Sequence, residues 1–86
     1  MKLKKEFITH NVEGESLLVP TGKAAFSGMV KGNRTFGAIL ELLRENTTEQ
    51  AIIAAMQARF DAPAGMIESD VRKALSELRS IGALED

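Results

Sequence analysis

Along the first third of the chain, apolar residues come in short runs separated by turn-forming polar ones. Phe7-Ile8-Thr9-His10-Asn11-Val12 reads as a strand, and Glu13-Gly14-Glu15-Ser16 as a polar turn. Leu17-Leu18-Val19 follows and is stopped by Pro20. Two apolar runs around a glycine-containing turn predict a β-hairpin. Pro20-Thr21-Gly22-Lys23 is then a loop, and Ala24 to Val30 a third, weaker strand whose Gly28 would let another backbone come close. After Gly32 the period lengthens. Asn33 can cap a helix through its side-chain oxygen, and Phe36, Ile39, Leu40 and Leu43 recur at helical spacing. Thr47 with Gln50 three residues on resembles a capping box, opening a second helix with Ile52, Ala55, Met56, Arg59 and Phe60 on one stripe. Asp61-Ala62-Pro63-Ala64-Gly65 breaks it. A third helix carries Ile67, Val71, Ala74, Leu78 and Ile81, widened by Leu75, and Gly82 stands where helices commonly stop. Ala83-Leu84 returns to the core.

Three strands with connections too short for parallel crossovers must form an antiparallel meander. Its apolar face needs a cover, which three amphipathic helices supply. The pattern therefore predicts an α+β fold, a three-stranded antiparallel β-meander followed by three helices, as a single domain over residues 1–86, with strands at about 6–32 and helices at about 34–82. No repeat, low-complexity tract or linker interrupts it.

Composition narrows the chemistry. The chain is 44% hydrophobic and 27% charged with a net charge of −1, an ordinary globular balance rather than the basic excess of a general nucleic-acid binder. No apolar run approaches a membrane span, and the start Met1-Lys2-Leu3-Lys4-Lys5-Glu6 lacks a signal-peptide stretch, so a cytoplasmic location without membrane association is expected. With no Cys there is no thiolate metal site, and a single His, His10, argues against a His-based metal site or a Ser-His-Asp triad. The glycines fit no phosphate loop. Composition thus favours a binding module over an enzyme, with no metal, cofactor or catalytic residues. Charge is also divided: residues 1–34 carry Lys2, Lys4, Lys5, Lys23, Lys31 and Arg34 against three carboxylates, whereas nine carboxylates lie beyond them.

The order and spacing of these pieces resemble the PqqD family (coenzyme PQQ synthesis protein D-like), also described as the RiPP recognition element. The resemblance runs over nearly the whole length. It is carried by Val19-Pro20-Thr21-Gly22-Lys23-Ala24-Ala25, Phe26-Ser27-Gly28-Met29-Val30, Asn33-Arg34-Thr35, Ile39-Leu40-Glu41-Leu42-Leu43, Thr47-Thr48-Glu49-Gln50, Arg59-Phe60-Asp61, Asp70-Val71, Leu75-Ser76-Glu77-Leu78 and Gly82-Ala83-Leu84-Glu85. This chain departs from the pattern in having Gly32 where members usually have Leu before the Asn, and Phe36 where Gly or Ala is frequent. It also has Ile39-Leu40 in place of an aromatic, and Arg59-Phe60-Asp61 in place of a Glu-Tyr-Asp type of sequence. The resemblance implies a winged-helix-like arrangement and a noncatalytic peptide chaperone. Such domains bind the leader segment of a ribosomally made precursor peptide by β-strand addition beside the third strand and against the third helix. They present it to a peptide-modifying enzyme, often a radical SAM enzyme, during peptide modification and biosynthesis.

The residues fit that mode. Strand addition needs an open edge and an adjacent apolar groove. Lys2, Lys4 and Lys5 guard the first edge, whereas Ala24 to Val30 carries neither charge nor proline. The expected peptide-binding groove comprises Phe26, Ser27, Gly28, Met29, Val30 and Lys31 on the strand, with Asp70, Val71, Lys73, Ala74, Glu77 and Leu78 on the third helix. A homodimer through the same open strand is a further expectation. The alternative function is a winged helix-turn-helix DNA-binding protein. Its recognition helix would open on Glu68 and Asp70 and carry no net charge from Met66 to Ile81, which opposes phosphate contact.

Overall fold

The computed structural model describes residues 1–12, 15–21 and 30–85. Its elements run β1 (Lys2–Leu3), β2 (Phe7–Val12), β3 (Glu15–Pro20), β4 (Val30–Gly32), α1 (Arg34–Leu42), α2 (Glu49–Arg59), α3 (Ala64–Ser80) and β5 (Leu84–Glu85). Strands β2, β3 and β4 form an antiparallel sheet in that order, with β3 central. The hairpin register runs from Phe7 opposite Pro20 to Val12 opposite Glu15, and β4 places Val30 opposite Leu18 and Gly32 opposite Ser16. The α+β meander read from the sequence is the fold observed; of the expected third strand, Val30 lies in β4, which runs to Gly32, and Ala24 to Met29 fall outside the described residues.

Alternation decides which side of the sheet is covered. Phe7, Ser16 and Leu18 are buried on the helical side, while Ile8 on the opposite side is 55% exposed. The helices pack on one face: α1 lies against β3 and β4 and also touches α2 and α3, which pack on each other. The resulting core joins Phe7 and Leu18 to Ile39, Leu40, Leu43, Ile52, Met56, Val71, Leu75 and Leu78, and closes with Ala83 and Leu84.

Helix boundaries follow from local hydrogen bonding. The Asn33 side-chain oxygen accepts from the Phe36 N–H at 3.0 Å, capping α1 as its sequence suggests. For α2 the cap is Thr48, not Thr47: the Thr48 hydroxyl accepts from Ala51 N–H at 3.1 Å, whereas Thr47 spends its own N–H on the Met1 carbonyl at 2.8 Å. The expected break at Asp61 to Gly65 is shorter than read. Helix α3 starts at Ala64, because the Pro63 carbonyl already accepts from Met66 and Ile67, and a proline fits the mouth of a helix. Gly82, at φ +72°, ends α3 in a Schellman motif: Ala83 N–H reaches the Leu78 carbonyl at 2.8 Å and Gly82 N–H that of Arg79 at 3.1 Å.

The N-terminus corrects one expectation. Lys2 does not guard the meander; β1 pairs antiparallel with β5, Lys2 opposite Glu85 and Leu3 opposite Leu84. Leu3 N–H donates to the Leu43 carbonyl at 2.9 Å and Lys4 N–H to that of Ala83 at 2.8 Å, while the Met1 amino group donates to Asn46 Oδ1 at 2.7 Å. The first four residues therefore strap the end of α1 and the following loop to the C-terminal strand. Lys2 Nζ lies 3.5 Å from a Glu85 carboxylate oxygen.

Candidate functional site

Strand β4 ends the sheet, with β3 as its neighbour and no other strand paired to it among the described residues. Beside it, between β4, the start of α1 and the middle of α3, lies a cleft of about 240 Å³. Its floor is apolar: Phe36 and Ile39 from α1 and Ala74 from α3, all buried. Asp70, Lys73, Ala74 and Glu77 stand at i, i+3, i+4 and i+7 on α3, a spacing that puts all four on one helix face. Ala74 forms the bottom of that face. Asp70, Lys73 and Glu77 form an exposed rim, and none of the three makes an ion pair among the described residues. Lys31 and Gly32 contribute the strand side, and Asn33 and Thr35 close one end. The Lys31 amine is 3.6 Å from a Glu15 carboxylate oxygen across the sheet, both well exposed, so this contact contributes little to stability.

The structure brings together Lys31 from the strand set expected in the sequence and Asp70, Lys73, Ala74 and Glu77 from the helix set. Val30 lies on β4, half-buried and packed against the core. Val71 and Leu78 point inward and are fully buried, so they hold α3 in place rather than line the cleft. Phe26, Ser27, Gly28 and Met29 fall outside the described residues. Sequence reasoning missed the contribution of α1. Phe36 and Ile39 read as core positions of a helix, and Gly32 as the boundary before that helix. The available signal was their combination, a glycine four residues before an aromatic.

Two other recesses differ in character. One, lined by Glu15, Ser16, Arg34, Gly37, Ala38, Glu41, Arg59 and Phe60, opens on the central strand β3, which already has a neighbour on each side. The other runs beside β2 and is lined by Leu3, Phe7, Ile8 and Thr9 with Lys4, Lys5 and Arg44. Its ionic lining is wholly basic, so Lys4 and Lys5 do stand beside the far edge, where charge disfavours added strands. Among the described residues no cluster of His, Asp or Glu could hold a metal ion, and no helix is long and apolar enough to cross a membrane.

The profile of a known family, coenzyme PQQ synthesis protein D (PqqD), matches residues 11–84 of the 86. The chain belongs to the PqqD family. Among solved structures, TbiB1 in complex with the TbiA(beta) leader peptide shares this fold, with a TM-score of 0.76 over 100% of both chains at 19% sequence identity. No curated protein matches the chain. In this chain the bare Gly32 and the Phe36 ring together give the cleft an apolar surface supplied by a helix side chain.

Proposed function

We propose that this PqqD-family chain is a noncatalytic adaptor that captures the leader segment of a ribosomally made precursor peptide and presents it to a modifying enzyme, a radical SAM enzyme in the reading from its sequence. The observation that carries the reading is the apolar cleft running alongside a sheet-edge strand. An extended guest gains backbone hydrogen bonds from β4 and, with alternate side chains turned toward α3, buries its apolar ones over Phe36, Ile39 and Ala74. The TbiB1 fold, solved with a leader peptide, supports the same reading. Docking residues on this chain are Val30 and Lys31 with the preceding Phe26, Ser27, Gly28 and Met29 on the strand side, and Asp70, Lys73, Ala74 and Glu77 on the helix side. The unpaired rim charges of α3 select among guests by ionic complementarity. The chain acts in the cytoplasm, and a second copy competes for the open strand at high concentration. The DNA-binding alternative finds less support: the acids on α3 match its bases in number, and Arg72 is engaged with Glu49 at 3.7 Å.

The test is titration of the isotopically labelled chain with the leader segment of the precursor encoded nearest to it. One-to-one binding with Kd of about 1 μM or tighter, equivalent to about −8 kcal/mol, is expected. Amide shifts should concentrate at Val30–Gly32 and Asp70–Glu77 and spare Ile8 and the β1–β5 strap. Shifts confined to the basic β2 edge, or none, would remove this reading.

A further inference from the structure

Gly32 ends β4 and Phe36 lies in the first turn of α1. A Cβ built on Gly32 would lie 2.6 Å from Phe36 Cβ and 2.5 Å from Cγ, and nearer still to one ring edge carbon. Non-bonded carbons settle at roughly 3.5–4.0 Å, so no side chain can stand at position 32 while the ring is there. The strand presents bare backbone at this point, and the phenyl group occupies the volume a strand side chain would fill. The ring is only 8% exposed and forms the cleft floor with Ile39 and Ala74. One apolar wall of the cleft is therefore a rigid aromatic face projected from a neighbouring element.

The cleft is small. About 240 Å³ falls below the roughly 300–1,000 Å³ typical of small-molecule sites, so its volume suits one or two side chains of an extended segment rather than a cofactor. Ala74, 7% exposed, leaves a notch in the α3 side of that floor, between the charged rim residues. A guest strand turns every second side chain toward the helix, which brings one anchor at a time over this notch.

We propose that Phe36 is a specificity-determining residue for the guest. Seated over Gly32, its ring limits the cleft to an aliphatic anchor such as Leu, Ile, Val or Met and turns away an aromatic one. This rests on the peptide-docking reading above and adds which side chain the peptide must bring. The charged groups stay at the rim, so selection within the cleft is by shape.

The experiment pans a phage-displayed library of random dodecapeptides over the immobilised full chain and over folded Phe36→Ala and Phe36→Leu variants, with bare support as control. The leucine variant keeps the core filled if the alanine variant does not fold. Wild type is expected to enrich aliphatic anchors in alternating sequences, and the variants Phe, Tyr or Trp at the same place. Two synthetic peptides from the wild-type selection, differing only by Leu or Phe at the anchor, then give an affinity ratio by fluorescence anisotropy. That ratio should favour Leu by about tenfold or more in wild type, the scale on which apolar pockets discriminate, and collapse in the variants. A purely structural role for Phe36 would weaken both peptides equally and leave the ratio unchanged, which would overturn the proposal. Wild type enriching nothing over bare support would instead remove the peptide-docking reading on which it rests.

Discussion

A methyl group has a different consequence at each of Gly32, Gly65 and Gly82. At Gly32 it meets the Phe36 side chain, and the overlap costs about 1–3 kcal/mol as strand and ring shift apart. At Gly82 the space is open, but φ is +72°, where a Cβ costs about 1 kcal/mol through backbone strain alone. At Gly65, inside the first turn of α3 with nothing within 4 Å of the built Cβ, neither objection holds. Alanine there should stabilise by about 0.5 kcal/mol by restricting the unfolded chain. Denaturation midpoints should therefore rank Gly65→Ala above wild type, then Gly82→Ala, then Gly32→Ala. The cost of Gly32→Ala should shrink when Phe36 is also alanine, because only the pair conflicts. Positions 32 and 36 thus share one volume, which the strand leaves bare and the helix fills. Neither residue discloses this in the sequence. Glycine before a helix cap reads as punctuation, and a phenylalanine at helical spacing reads as core.

Helices are the elements the sequence announces best, because a stripe repeating every three or four residues is visible over ten or more positions. All three appear where that period places them. The two-residue strands β1 and β5 are invisible by the same logic: two residues show no period, and their pairing joins opposite ends of the chain. Lys2, Lys4 and Lys5 accordingly read as one solvated guard, although Lys2 belongs to the strap and only Lys4 and Lys5 lie beside β2. The strap should matter energetically. Leu3 is half-buried against the core and donates its backbone N–H to Leu43. Leu3→Pro deletes that donor and strands a carbonyl at the end of α1, for an expected loss of about 1–3 kcal/mol. A thermal melt by circular dichroism checks this, with about 4–8 °C lost per kcal/mol in a domain of this size. An unchanged midpoint would show that the strap is ornamental. Of the groove expected between the third strand and third helix, the helix face with Asp70, Lys73 and Glu77 was legible because mixed charge at helical spacing is a local pattern, whereas Phe26 to Met29 fall outside the described residues. Its floor was not, because Phe36 and Ile39 join it only after α1 packs on the sheet.

The molecule as a whole is held by one core to which the hairpin, all three helices and the C-terminal strand contribute. No element has an apolar cluster of its own large enough to persist alone, and the chain has neither a disulfide nor a metal cluster among its described residues to hold a fragment together. Urea should therefore unfold it in a single two-state transition with a slope of about 1 kcal/mol per molar. Since the chain has no Trp or Tyr, far-ultraviolet circular dichroism and amide resonances are the probes to compare. Loss of the β2–β3–β4 amide signals before those of α3 would show two cooperative units instead. Because Lys2 and Glu85 face each other across a strand pair, the chain leaves the domain within a few ångströms of where it enters. A short flexible bridge could close the backbone into a ring, and the whole unit could be spliced into a surface loop of a larger host protein without prying the host apart.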